Sequence, residues 1–368
     1  MQLGVNTTGM PSDICVATDK SGQDLCVVVV KGTFALGSQG NPKLAEAQAP
    51  LVYVDQYRGV PGTTSLVREC DFAPFKPRTD LLVQGQAVSA SGRPVESLLV
   101  TLELGPLKKS IRVTGDRRWE RGLFGLRASA PTTFTHLPIV YERAFGGTDL
   151  THPDPRHQGA ELRNPVGVGY RKNPEARATL DTALPNLEDP RHPLSSWTDL
   201  VSPVGFGPVG RSWRPRITHA GTYDSRWREE DYPFLPRDFD TRFFLSAPED
   251  QQLPYLRGGE TVRCTGMTPD GVLLASIPTL KFPITFRFDD RDHGVEPLLD
   301  TFLIESDTRR IVLTWRTSAP LGRKSSRLRE ILVGRRPATR TGGGKPRFNS
   351  LAELVAARRG SPRGRGSR

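Results

Sequence analysis

The stretch Leu25-Cys26-Val27-Val28-Val29-Val30-Lys31-Gly32-Thr33-Phe34-Ala35-Leu36 decides the fold class. It is apolar and rich in β-branched side chains, the profile of a strand buried on both faces. Working outward, Leu81–Val88 shows partial alternation, and Ser91-Gly92-Arg93-Pro94 turns the chain into Ser97–Leu104. Ile111-Arg112-Val113, the turn pair Gly115-Asp116 and Arg117-Arg118-Trp119-Glu120 read as a hairpin, and Thr261–Met267 turning at Pro269-Asp270-Gly271 reads as another. Phe282–Phe288, Phe302–Glu305 and Arg310–Arg316 supply further strands. The expected fold is mainly β, with antiparallel sheets packed as a sandwich-like body.

Composition agrees. Gly and Pro together account for 68 of 368 residues, against roughly 44 at average usage. That excess argues against a helical bundle. Four segments follow: a β-rich part at 1–142, an irregular Gly/Pro/Trp-rich segment at 143–255, a second β-rich part at 256–334, and an Arg/Gly-rich tail at 335–368, expected to be mostly disordered. The middle segment carries Trp197, Trp213 and Trp227, too aromatic for a disordered linker. The net charge of +11 is local: from Leu321 onward there are 14 basic and 2 acidic residues, so residues 1–320 carry a net −1.

Several classes fall away. The apolar run at 25–30 is far shorter than the roughly 20 residues of a membrane helix. The opening MQLGVNTTGMPSD lacks a signal peptide's basic and apolar regions. Cys15, Cys26, Cys70 and Cys264 are scattered without a C-x-x-C pair, which points to a reducing cytoplasm with no disulfide or zinc framework.

Chemical motifs are sparse. Gly205-Phe206-Gly207-Pro208-Val209-Gly210 matches G-x-G-x-x-G, but Pro203, Pro208 and Pro215 deny it the following helix that a dinucleotide site needs. Gly342-Gly343-Gly344-Lys345 is followed by Pro346 and fails as a P-loop. His152 and His157, or Asp289-Asp290-Arg291-Asp292-His293, could offer ligands to a divalent metal, although an arginine in each cluster opposes a cation. Asp238 and Asp240, with Glu229, Glu230 and Asp231 upstream, could serve a carboxylate-based hydrolase, but the arginines among them favour a surface ion-pair network. The basic tail invites nucleic acid, with only Phe348 for stacking and no recognised module beside it. No cofactor and no metal are expected, and no specific nucleic acid.

An ordered series of motifs is more specific. It comprises Lys76-Pro77-Arg78-Thr79-Asp80, Tyr141-Glu142-Arg143-Ala144-Phe145-Gly146-Gly147, Asn164-Pro165-Val166-Gly167-Val168-Gly169, Leu184–Pro190, Gly221-Thr222-Tyr223-Asp224 with Trp227, and Pro233–Asp240. Over roughly 15–320 this series resembles a bacterial family of unknown function whose members are typically encoded beside type VI secretion spike proteins. The resemblance implies a non-enzymatic adaptor or chaperone that binds an effector, or its PAAR-type spike-tip domain, and helps load it onto the VgrG spike. No catalytic residue comes with it, and no membrane insertion. The residues expected to contact such a partner are Tyr141, Arg143, Phe145, Gly146, Gly147, Trp213, Arg216, Tyr223, Asp224, Trp227, Asp238, Phe239 and Asp240. Aromatic and arginine side chains on loops held by a rigid frame are the usual interface anchors.

Overall fold

A computed structural model describes residues 1–321 and 328–334. The tail at 335–368, with the glycine-lysine run at 342–345 and Phe348, lies outside the described residues.

The long apolar stretch forms the strand Asp24–Leu36, buried without interruption from Cys26 to Phe34. It is one strand in from the edge of a seven-stranded sheet. The order across that sheet is Gln252–Leu253, Thr79–Gln84, Leu298–Glu305, Arg310–Pro320, Asp24–Leu36 and Ser12–Thr18, with Pro42–Leu44 pairing beside the far end of Asp24–Leu36. A five-stranded sheet runs Leu187–Glu188, Leu107–Thr114, Ser97–Leu104, Thr261–Thr265 and Val272–Ser276. A four-stranded sheet runs Gln2–Asn6, Leu328–Val333, Ile284–Phe288 and Asp292–Val295. Most pairings within these three sheets are antiparallel, but two are parallel: Thr79–Gln84 with Leu298–Glu305, and Gln2–Asn6 with Leu328–Val333.

One hairpin differs from expectation. Leu107–Thr114 pairs with Ser97–Leu104 through the turn at Gly105, not with the residues after Gly115. Gly115-Asp116 is instead a crossing point, and Trp119–Gly122 makes its own hairpin with Gly125–Ala128. The reason is cross-strand burial: Val100 and Leu102 face the core alongside Ile111 and Val113, a match that residues 117–120 cannot offer.

Alternation along the central strands sorts two chemistries onto two faces. Val28, Val30, Leu81, Val83, Phe302, Ile304, Ile311 and Leu313 join one apolar cluster with residues of both other sheets, Val100, Ile111, Val262, Ile284, Phe286 and Ile331 among them. Strands from both β-rich parts therefore share one core. The opposite face carries Lys31, Thr33, Asp80, Thr314 and Arg316, each no more than 4% exposed. A small second cluster of Leu82, Leu303, Val312 and Ala247 lies among them.

That polar face is closed by chain from the 45–78 region and from the middle segment. Lys31 Nζ meets Asp71 Oδ2 at 2.6 Å, and Asp71 also accepts the Val52 N–H at 2.7 Å. Lys76 Nζ is 2.7 Å from Asp80 and 3.3 Å from Glu69, while Asp80 accepts the Ser246 and Ala247 N–H groups at 2.9 and 3.0 Å. Arg316 pairs with Asp300. Burial alone would raise the Glu69 carboxyl, but Lys76, Arg216 and Arg211 outweigh it and bring it to about 2. For Asp300 burial wins, and its carboxyl sits above the usual value despite Arg316.

The middle segment has little regular structure. Its two α-helices, Ala176–Thr179 and Ser225–Glu230, are separated by short 3-10 turns and two-residue strands. Among the described residues no helix is long and apolar enough to cross a membrane.

Candidate functional site

The Tyr141–Gly147 motif is built on close backbone contact. Tyr141–Arg143 forms a 3-10 turn, after which Phe145–Gly146 pairs in parallel with Val168–Gly169. The Asn164 side-chain amide locks the two segments by donating to the Tyr141 and Phe145 carbonyls at 2.8 and 3.0 Å. Gly146 and Gly147 adopt φ of 148° and 104°, and a Cβ on either would collide with the carbonyl oxygen of Asn164 or Gly167. These glycines serve conformation and close approach. Tyr141 is buried, its hydroxyl donating to the Gly207 carbonyl at 3.3 Å and its ring meeting Trp213 edge-on at 5.3 Å. Burial pushes its phenol upward.

Arg143 is half-buried. It donates to Asp116 Oδ1 at 3.2 Å and Asn186 Oδ1 at 3.0 Å, and it lines a groove of about 670 Å³ with Arg118, Ser129, Asp181 and Leu184. Asn186, from the Leu184–Pro190 motif, also donates to the Thr114 carbonyl at 2.9 Å, so this motif seals the edge of the five-stranded sheet.

Arg216 joins the two halves of the middle segment. Buried to 3% exposure, it donates to the Val209 and Phe243 carbonyls at 2.8 and 2.9 Å and pairs with Glu69. Phe239 is buried against Phe243 and Phe244.

Beyond that anchor the side chains turn to solvent. Asp224 caps the Ser225–Glu230 helix by accepting the Trp227 N–H at 2.8 Å. Trp227 Nε1 donates to the Phe234 carbonyl at 2.9 Å, and its ring meets Tyr223 and Tyr232 edge-on at 4.7 and 5.7 Å. Tyr223, Tyr232 and Phe234 are 52%, 68% and 48% exposed. Tyr223, Trp227 and Tyr232 form an aromatic patch, with the exposed Phe234 beside it, its ring against Gly22. Asp238 accepts from the Thr222 N–H at 2.9 Å and hydroxyl at 2.7 Å, bonds that hold its carboxyl below the usual range. Asp240 caps the Thr241–Phe244 turn and chelates Arg242.

The expected contact residues therefore divide. Tyr141, Phe145, Gly146, Gly147, Trp213, Arg216 and Phe239 are inside; Tyr223, Asp224, Trp227 and Asp238 lie at the exposed patch, with Asp240 half-buried beside it. Tyr232 and Phe234 escaped the sequence reading of the site. Their spacing from Trp227, across the helix end and the Pro233 turn, was the signal available.

The other chemical candidates are structural in their contacts. Asp289 pairs with Arg329 and Asp292 with Arg287. The His152 and His157 rings pack at 4.5 Å. Among the described residues no group of three or more His, Cys, Asp or Glu side chains is placed to hold a metal ion. The Gly205–Gly210 segment is a loop over the central sheet, with the Phe206 carbonyl accepting from Val83 N–H and Gln251.

A family model described as an uncharacterized protein conserved in bacteria, DUF2169, matches residues 21–316, and the chain belongs to that family. No curated protein and no solved structure matches it.

Proposed function

We propose that this DUF2169 member is a non-catalytic adaptor or chaperone. In this reading it holds a type VI secretion effector, or the effector's PAAR-type spike-tip domain, and helps load it onto the VgrG spike. The observation that carries the protein-binding part is the patch of Tyr223, Trp227, Tyr232 and Phe234. Large apolar rings held in solvent on an ordered segment mark interaction sites more often than they mark anything else. The buried Arg216 and Phe239 beneath them fix that segment to the body, so little ordering entropy is lost on association. The type VI assignment rests on the motif series and its resemblance alone.

Nearby carboxylates support the same reading. Asp224, Asp238 and Asp240 already cap turns or chelate arginine, which leaves none of them desolvated and free for acid-base work.

The test is affinity capture of the tagged full chain from its host, with nuclease added, read by mass spectrometry. A spike-tip or toxin protein recovered in stoichiometric amount, and lost with Trp227→Ala plus Tyr232→Ala, is the expected result. A monomer recovered alone would overturn the proposal.

A further inference from the structure

A second feature stands apart from the aromatic patch. Trp119–Gly122 and Gly125–Ala128 form a hairpin with Gly122 opposite Gly125, closing on a two-residue tip, Leu123-Phe124. Gly125 takes φ of 127°, which the tight turn requires. Leu123 is 96% exposed and Phe124 fully exposed. No other large apolar side chain among the described residues stands so far from the protein.

The tip is held out rigidly. Trp119 at its base is buried, its N–H donating to the Thr182 carbonyl at 3.0 Å while the Asp181 N–H donates back to Trp119 at 2.8 Å. The Ser129 N–H donates to the Arg118 carbonyl at 2.9 Å. Glu120 is taken up by Arg127 at 2.7 Å, while Arg118 and Arg121 have no ion-pair partner among the described residues. The hairpin base also forms one wall of the 670 Å³ groove, through Arg118 and Ser129.

We infer that this hairpin is a docking element, and that its occupant is a protein presenting an apolar cleft rimmed by carboxylates. The inference rests on the adaptor reading for the existence of a protein client. A convex tip of two apolar side chains needs a concave receiver. The unpaired Arg118 and Arg121 behind it select an acidic rim, because a basic rim would leave like charges facing each other as the interface closes. A bilayer is the weaker match: reversible attachment even with a whole acyl chain is marginal, and stable anchoring takes two such signals. Two side chains in a protein pocket, by contrast, are the usual scale of an interface hot spot.

The experiment has two arms on the full chain. In the first, Leu123→Ser with Phe124→Ser is compared with the wild type in the capture described above. Because neither side chain is buried in its own fold, the melting temperature should not move, while client recovery should fall at least tenfold. Arg118→Glu with Arg121→Glu should reduce recovery as well, and Arg118→Lys with Arg121→Lys should restore it. Recovery at the wild-type level with the double serine variant would overturn the inference and leave the adaptor reading standing. In the second arm, a photo-crosslinking phenylalanine analogue replaces Phe124 in host cells. A crosslink mapping to an apolar cleft beside Asp or Glu in a protein supports the inference even where the first arm recovers no client. A crosslink to lipid, to a second copy of the chain, or to nothing overturns it.

Discussion

The two faces of the seven-stranded sheet are both buried and differently made. On one, Val28, Val30, Phe302, Ile304, Ile311 and Leu313 meet the other two sheets in a continuous apolar core. On the other, Lys31, Asp80 and Arg316 meet charged partners from distant parts of the chain. Apolar packing is non-directional and tolerates repacking. Ion pairs and charge-assisted hydrogen bonds are directional, and a buried charge is costly unless its partner arrives. The apolar face therefore supplies the bulk of the stability. The ionic face selects where the irregular segments lie, because Asp71, Glu69 and the 245–247 backbone fit only one arrangement of the sheet's charges. The middle segment has almost no strand or helix of its own to set its position, and the sheet sets it instead.

This contrast can be broken or sharpened by experiment. The largest effect is expected at the Arg316–Asp300 pair. Arg316→Met should cost about 3–5 kcal/mol in urea unfolding, by stranding a buried carboxylate. Adding Asp300→Leu should recover at least half of that loss. A pair of losses that simply add would mean that the ionic face behaves like ordinary packing. On the apolar face Leu313→Ala should cost about 3 kcal/mol, and a second truncation at Val28 should deepen the loss, since a larger cavity has no partner to satisfy.

Acid titration separates two carboxyls of the ionic face by sign. Glu69 is held near 2, below the ordinary 4.5, so its contribution is complete above pH 4.5 and fades as the pH falls through 2. Asp300 is raised, so it detracts at neutral pH and its protonation on the way down removes that cost. Glu69→Gln should flatten the loss of stability between pH 4.5 and 2 by on the order of 3 kcal/mol. It should leave the Leu313→Ala difference unchanged across that range.

Gly146→Ala tests the close approach at the Tyr141–Gly147 motif. A positive φ and a collision with the Asn164 carbonyl together should cost about 1–3 kcal/mol, measured as a fall in melting temperature. Trp227→Ala is the smallest perturbation of stability, within about 0.5–1 kcal/mol, because its ring rests on other exposed rings. A larger fall would make the aromatic patch a structural brace and weaken its role as a binding surface.

The sequence was legible where burial leaves a local pattern. Leu25–Leu36 announces a doubly buried strand, and Pro269-Asp270-Gly271 announces its hairpin, because in each case neighbouring residues carry the signal. The hairpin around Gly115 was misread for the same reason: its local turn chemistry is sound, while the decisive match lies with Ser97–Leu104. The charged face was mostly invisible: only Lys76 and Asp80 fall within one quoted motif. Lys31 and Asp71 are 40 positions apart and Arg216 and Glu69 are 147 apart, so no window of sequence contains the pair. At the candidate site the residue types were legible and their exposure was not. Phe239 and Trp227 are both aromatic in recognised motifs, yet one is core and the other borders solvent.

The parallel pairing of Gln2–Asn6 with Leu328–Val333 has a consequence in time. A chain is made at about 5–20 residues per second, so the first strand waits roughly 15–65 s for its only partner in the sheet. Asp24–Leu36 waits nearly as long for Arg310–Pro320. Two of the three larger sheets are thus completed only after residue 310 has been made, and until then the run of consecutive valines is paired on one edge, with Ser12–Thr18, and open on the other. The nascent chain is the form of this protein most exposed to aggregation, and holdase binding to ribosome-attached chains shorter than about 310 residues is where that exposure can be observed.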